Sequence, residues 1–262
     1  MKQKILLSLT LILMLIALFA LSVSAKEVVD GWNISKTVND AVVAVLYDDG
    51  TLIITGEGEM QGFSDYGGNN SPWRNSVKFA VIEEGVTNIS NYAFFCCENL
   101  VSIEIPNGVT NIGLSAFNFC ENLKSVLLPN TLETIEDGAF AACTAMETFN
   151  VPPSVKTIGD CVFTGCDSVR SVFVPSSVEV IGWHCFTNSM KIFVDAQASP
   201  SKWDYDWNNG ATVTYGHTHN YINDECECGF KRTLVESWDW SETENDNVTV
   251  SIYDIPYTTA IP

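Results

Sequence analysis

The sequence predicts a solenoid of stacked α/β repeats, and three regular columns of residues carry that prediction. Phenylalanine recurs with a spacing of 23, at Phe94, Phe117, Phe140, Phe163 and Phe186. The other two columns keep the same spacing and are Ile89, Ile112, Ile135, Ile158 and Ile181, and Pro106, Pro129, Pro152 and Pro175. A period of roughly 20–29 residues rich in leucine and isoleucine is that of a leucine-rich repeat. We therefore expect about five units of 23 residues within residues 77–195.

Each unit contains the pattern of a short strand followed by a helical turn. Ile103 and Ile105 alternate with Ser102 and Glu104, as in a half-buried strand, and the proline that follows ends it. The next apolar positions are spaced as one face of a short helical turn and are Ile112, Ala116, Phe117, Cys120 and Leu123. One unit cannot bury its own apolar face, so stacked units must share a continuous core.

The unit running from Leu100 through Ile103, Pro106 and Phe117 to Leu123 resembles the BspA-like leucine-rich repeats of bacterial surface proteins. The resemblance extends to both flanks. It implies an N-terminal β cap within residues 26–76 and a helix-strand C-terminal cap at 196–216, around Trp203 and Trp207. The resemblance is specific for the fold and says little about a ligand.

The first 25 residues have the layout of a secretory signal peptide. Lys2 and Lys4 precede an apolar run from Ile5 to Leu21, and small residues ending in Ala25 offer a cleavage site. An uncleaved membrane anchor is the alternative. We expect a secreted or cell-surface protein with no membrane span in the mature chain.

The charge balance excludes one class of partner. The chain has 13 Lys and Arg against 32 Asp and Glu, and removing Lys2 and Lys4 leaves 11 against 32, a formal charge of −21. A surface this negative repels phosphate backbones, so nucleic acid is excluded as a partner. Solubility alone also explains such a charge.

The cysteines fall into a repeat column and a tail. Cys97, Cys120, Cys143 and Cys166 share the period of 23, and we expect a ladder of buried thiols because stacked strands lie too far apart for disulfides. Cys185 is expected to be buried as well. A disulfide between Cys161 and Cys185 is the alternative for those two residues.

The tail, residues 217–262, contains four candidate metal ligands: His217, His219, Cys226 and Cys228. Two histidines and two cysteines are the ligand inventory of a structural zinc site. The Cys-x-Cys spacing is tighter than the usual pair spacing, and a partly ordered linker or an intermolecular disulfide are the alternatives. The remainder of this tail predicts two strands, near 238–240 and 248–253, of an appended or truncated module.

No catalytic motif is present in the sequence. His184 and Cys185 are adjacent, but Cys185 occupies an inward column, where a reactive thiolate is not expected. We therefore expect a protein that is not an enzyme.

A binding surface is predicted on the outward positions of the strand ladder. These are Phe79, Val81, Ser102, Glu104, Ser125, Leu127, Thr148, Asn150, Ser171 and Phe173. Solenoids commonly bind ligands on this extended, concave face, and apolar groups among small polar ones are typical of an interaction surface. Ordinary β-propensity is the alternative explanation.

The sequence therefore favours a secreted or surface protein that mediates protein–protein interaction or adhesion, with an extracellular protein of unknown identity as partner. A structural envelope or spacer protein is the first alternative. The second is a non-catalytic accessory domain of a larger multi-module protein or enzyme.

Overall fold

The computed structural model describes residues 26–64, 70–217, 221–222, 225–226, 233–239 and 249–254. The predicted signal peptide at residues 1–25 lies outside them. In chain order the strands are β1 (Val28–Asn33), β2 (Val43–Tyr47), β3 (Thr51–Thr55), β4 (Phe79–Ile82), β5 (Asn88–Ile89), β6 (Ser102–Glu104), β7 (Asn111–Ile112), β8 (Thr134–Ile135), β9 (Thr157–Ile158), β10 (Ser171–Val174), β11 (Val180–Ile181), β12 (Lys191–Val194), β13 (Thr212–Tyr215), β14 (Tyr221–Ile222), β15 (Glu225–Cys226), β16 (Thr233–Asp239) and β17 (Thr249–Asp254).

One side of the solenoid is a ladder of the longer strands. An antiparallel meander, β1-β2-β3, joins β4 and then β6 in parallel pairing. At the other end β10, β12 and β13 pair in parallel. The two central repeats contribute only a parallel bridge between Ser125 and Thr148, so the expected five-strand ladder narrows in its middle. The predicted boundaries at 76, 195 and 216 remain predictions.

A second, narrower ladder lies on the other side of each repeat. Five strands of two residues each pair in parallel in the order β5-β7-β8-β9-β11. Their isoleucines are the predicted column, and each is buried while the preceding residue is half-buried. The constant spacing of 23 keeps every strand in register with the next, as in Ile112 opposite Ile135.

The expected helical turns are not helical, and the described residues contain no helix. The segment that follows the short strand of each repeat contains residues in the left-handed region. Examples are Tyr92, Ser115 and Cys161, which have φ of 58°, 50° and 55°. Backbone N–H groups therefore donate to the next repeat, such as Phe94 N to Ala116 O at 2.7 Å. Satisfying these donors between repeats removes the need for hydrogen bonds within a helix. The segment from Trp203 to Trp207, expected as a capping helix, likewise forms turns.

The core is built on a stack of the predicted phenylalanines. Neighbouring rings along the column lie 5.1 to 5.9 Å apart and within 12° of parallel. Trp73 contacts the ring of Phe94 at 6.0 Å, and Trp207 contacts Phe186 at 5.8 Å. An indole thus covers each end of the stack, where a repeat has no further neighbour to bury its apolar face.

Glycine occurs where a polar side chain of the preceding repeat approaches the backbone. The Oδ1 atom of Asp137 accepts from Asp160 N at 2.8 Å, and a Cβ on Gly159 would lie 2.3 Å from that oxygen. The same arrangement joins Asp160 to Gly182. One repeat earlier, Leu114 occupies the position of Asp137, and Glu136 occupies the position of Gly159. Because Leu114 has no carboxylate to approach the backbone, glycine is not required at position 136.

Candidate binding face

The ladder face consists of the outward residues that the sequence singles out on this side of the solenoid. Those of the two central repeats lie outside the named strands and are Ser125, Leu127, Thr148 and Asn150. Parallel register places Phe79 beside Ser102 and Val81 beside Glu104. Further along, Ser125 lies beside Thr148. Alternate residues on these strands point into the core, for example Ala80 and Ile103, so their neighbours must point away from it.

Most of the ladder face is open to solvent. Leu127 is 81% exposed and Phe79 is 43% exposed, which is unusual for large apolar side chains. The exposed polar members are Ser102, Glu104, Ser125, Thr148 and Asn150, whereas Val81 and Ser171 are half-buried. The apolar members therefore alternate with small polar ones on an accessible surface.

The expectation that Phe173 is exposed is wrong. It lies on the outward side of β10, beside Phe193 of β12, but it is only 7% exposed. The imidazole of His217 packs against both rings, with centroids 4.7 Å from Phe193 and 6.1 Å from Phe173. His217 follows β13 and covers this end of the ladder face, so the accessible part runs from Phe79 to Asn150.

An acidic depression of about 540 Å³ borders the ladder face next to Glu104. Glu83 and Glu84 lie on its rim, and Ile105 and Pro106 contribute apolar lining. Glu83 and Glu84 were not singled out from the sequence as binding residues. The available signal was that Glu83 stands where later repeats have proline.

The structure brings together two of the four candidate metal ligands. His217 Nε2 lies 3.2 Å from Cys226 Sγ, and both side chains are buried. His219 and Cys228 lie outside the described residues. Among the described residues, no group of three or more histidine, cysteine or acidic side chains is placed to hold a metal ion.

The repeat cysteines are free thiols inside the core. Cys120 Sγ donates to Phe94 O at 3.1 Å, and Cys143 and Cys166 repeat this bond to the phenylalanine of the preceding repeat. Cys161 and Cys185 are both unpaired, so the alternative disulfide between them is not formed. Burial raises the pKa of the Cys185 thiol well above its usual value, which opposes its use as a nucleophile. The neighbouring His184 instead contacts Asp206, with Nε2 and Oδ2 2.7 Å apart.

Residues 72–192 match the BspA type leucine rich repeat region in six copies. The repeats of this chain are similar to those of that family. The BspA-type match confirms the resemblance seen in the sequence, with one copy more than the five units expected. No curated protein is significantly similar to the chain. The part of the chain that the structure describes includes no helix that could span a membrane.

Three solved bacterial structures are similar to this chain. A leucine-rich repeat protein from Eubacterium ventriosum is 27% identical with a TM-score of 0.53, over 65% of this chain and 44% of that one. The T. pallidum leucine-rich repeat protein is 24% identical with a TM-score of 0.47, over 66% and 78%. A leucine-rich cell surface protein from Faecalibacterium prausnitzii is 21% identical with a TM-score of 0.48, over 74% and 57%. This chain therefore spans less than half of the Eubacterium protein.

Proposed function

We propose that the chain is an exported, non-catalytic binding protein whose ladder face contacts another protein outside the cell. The observation that carries this proposal is the 81% exposure of Leu127 in the middle of that face. A leucine side chain so placed gains roughly 1.5–3 kcal/mol when a partner removes it from water. Phe79, half-exposed on the same face, offers a second apolar contact.

The chemistry around these residues favours a neutral or basic partner. Glu104 lies on the face, and Glu83 and Glu84 border the adjoining depression. Three carboxylates next to exposed apolar groups match a partner that presents lysine or arginine beside a hydrophobic patch. Complementary charge of this kind mainly accelerates association and loses its effect at high salt.

Export is proposed from residues 1–25, with cleavage after Ala25. Lys26 would then be the first residue of the mature chain. In the structure its Nζ atom lies 2.8 Å from Asp49 and 2.9 Å from the hydroxyl of Thr51. Intact-mass measurement of secreted protein should give a chain that begins at Lys26, and finding Met1–Ala25 attached would contradict cleavage.

The binding proposal is tested with the chain from residue 26 onward, displayed against an array of extracellular proteins. Leu127→Ser should weaken binding to any partner found by about tenfold or more, as expected for a central apolar contact. Val38→Ser is the matched control, because Val38 is fully exposed and lies outside the ladder face. Equal binding by both variants would show that the partner does not contact the ladder face through Leu127.

The structural alternative makes a different prediction for the same array. A spacer or accessory domain needs no specific partner, so the array should show no binding that depends on Leu127. Glu104→Lys provides an independent measurement, because a basic partner should associate more slowly with it at low salt and similarly at high salt.

A further inference from the structure

A polar cavity of about 370 Å³ lies away from the ladder face, beside the narrow ladder. It opens between the segment that carries Lys36 and Glu59 and the first two repeats, where Asn88 and Asn111 project from β5 and β7. Its volume falls within the usual range of small-molecule sites, roughly 300–1,000 Å³. Met60 is the one large apolar side chain in its lining.

Asn88 presents a hydrogen-bond donor to this cavity. Its Oδ1 atom accepts from Met60 N at 2.7 Å, which fixes the orientation of the amide. Only Oδ1 of this amide is hydrogen-bonded within the described part of the chain, so both N–H donors of the Nδ2 group remain available.

Asn111, on the neighbouring strand, presents an acceptor. Its Nδ2 group donates to Glu136 Oε1 at 3.0 Å, and the other carboxylate oxygen of Glu136 accepts from Leu114 N at 3.0 Å. Glu136 thus orients the amide so that Oδ1 faces away from the bond. Parallel pairing places Asn88 directly beside Asn111. Neighbouring strands lie about 4.8 Å apart, so the donor and the acceptor are adjacent.

A third polar group on the wall of the cavity lacks a partner. Ser90 is only 4% exposed, and its hydroxyl makes no hydrogen bond within the described part of the chain. Buried hydroxyls are nearly always hydrogen-bonded, because an unsatisfied one costs about 1–3 kcal/mol. The Ser90 oxygen is shielded from solvent, so Ser90 forms part of the wall and offers no contact to a ligand.

The charges of the lining oppose an anionic ligand. Lys36 is paired with Glu59, whereas Glu136 accepts hydrogen bonds only from the neutral Asn111 amide and Leu114 N and so keeps its negative charge. An anion would therefore meet this carboxylate and no unpaired cation in the lining. An apolar ligand would leave the amides without partners.

We propose that this cavity binds a neutral saccharide unit. Adjacent hydroxyls of a sugar ring both donate and accept, which matches the Asn88 donor next to the Asn111 acceptor. This site is separate from the ladder face, so it adds a second ligand class to the proposed protein contact.

The experiment is a glycan array carrying neutral, sialylated and sulfated oligosaccharides, followed by calorimetric titration with the strongest neutral oligosaccharide. Neutral oligosaccharides should bind in preference to charged ones. Asn88→Asp keeps the acceptor for Met60 N and removes the donor, so binding should weaken at least tenfold at an unchanged melting temperature. Asn150→Asp makes the same chemical change on the ladder face and should bind like the parent.

A second variant tests the orienting carboxylate. Glu136→Gly restores the residue found at this position in three other repeats, Gly113, Gly159 and Gly182, so the fold is compatible with it. It releases Asn111 and should also weaken glycan binding. No binding on the array, a preference for charged glycans, or unchanged binding by both variants would overturn the proposal. Leu127→Ser should retain glycan binding, which separates this site from the ladder face.

Discussion

The rings of Phe117 and Phe140 lie 5.1 Å apart and within 7° of parallel. Neither side chain has measurable exposure, and each ring also contacts the phenylalanine on its other side. The stack is therefore the axis on which each repeat supports its neighbours, and its disruption should be felt along the whole array.

Replacing the central ring tests this role. Phe140→Ala should destabilise the protein by about 3–5 kcal/mol, because it removes a fully buried aromatic side chain and leaves a cavity between two rings. Thr148→Ala is the control, since Thr148 is exposed on the ladder face. It should change the free energy of unfolding by less than about 0.5 kcal/mol. Similar shifts in the urea midpoint for both variants would show that the inward and outward positions are wrongly assigned.

Much of this arrangement is predictable from the spacing of 23, because a constant period fixes which residues stack. The columns of Phe117, Ile112 and Cys120 are buried as the sequence predicts. The prediction of helical turns was wrong, because apolar residues spaced three and four positions apart also occur in consecutive tight turns. The glycines Gly138 and Gly165 were the missed signal, since both occupy left-handed positions of those turns.

The candidate site is less predictable than the core. The alternation of apolar and polar residues in the sequence places Leu127 outward, although Leu127 lies outside the named strands. The same alternation says nothing of what covers Phe173. The covering residue, His217, comes after the last strand of the ladder and belongs to no repeat. The polar cavity likewise depends on Asn111 meeting Glu136 across neighbouring repeats, at a position where the glycine column is interrupted.

The close approach at Gly159 predicts a steric cost. A Cβ there would lie 2.3 Å from Asp137 Oδ1 and 2.6 Å from Asp137 N, and the backbone cannot move without shifting the repeat. Gly159→Ala should therefore lower the free energy of unfolding by about 1–3 kcal/mol. Gly62→Ala is the matched control, because its Cβ would meet no atom within 4 Å. Equal urea midpoints for the two variants would contradict this close packing of Gly159 against Asp137.

The buried thiols predict a pattern of chemical reactivity. Burial raises the pKa of Cys97 and Cys120 well above the ordinary value of 9.0, so neither should form a thiolate in the folded protein at pH 8. Iodoacetamide should label Cys161, which is half-buried, before Cys120, as followed by peptide mass mapping. In guanidinium chloride all of them should react alike. Rapid labelling of Cys120 in the native protein would contradict its placement.

The same thiols predict a loss of stability at alkaline pH. Their pKa is raised by folding, so the folded state holds a proton that the unfolded chain releases above pH 9.0. The contribution of the protonated thiols to the free energy of unfolding is fully present below that value. It should fall as the pH rises, by up to about 1.4 kcal/mol per thiol and pH unit. Urea midpoints at pH 8 and pH 10 measure this fall. Cys120→Ala should show a smaller fall than the parent, and an equal fall would assign the effect to other groups.

The contact between His217 and Cys226 supports the zinc proposal for the tail. Bond lengths of about 2.0 Å for Zn–N and 2.3 Å for Zn–S place two tetrahedral ligands about 3.5 Å apart. The observed 3.2 Å between Nε2 and Sγ needs only a small widening to admit the ion. Purified mature protein should then contain about one zinc per chain by plasma mass spectrometry, and His217→Ala or Cys226→Ser should lose it.

Zinc removal should leave the repeats folded, because the phenylalanine stack does not depend on the tail. Chelation should instead expose Phe173 and Phe193, on which His217 packs, and raise the binding of a hydrophobic dye. The far-ultraviolet circular dichroism should stay the same. Metal-replete, reduced protein without zinc would favour the alternative in which His217 and Cys226 share only a hydrogen bond, and the tail would then be a linker that covers one end of the ladder face.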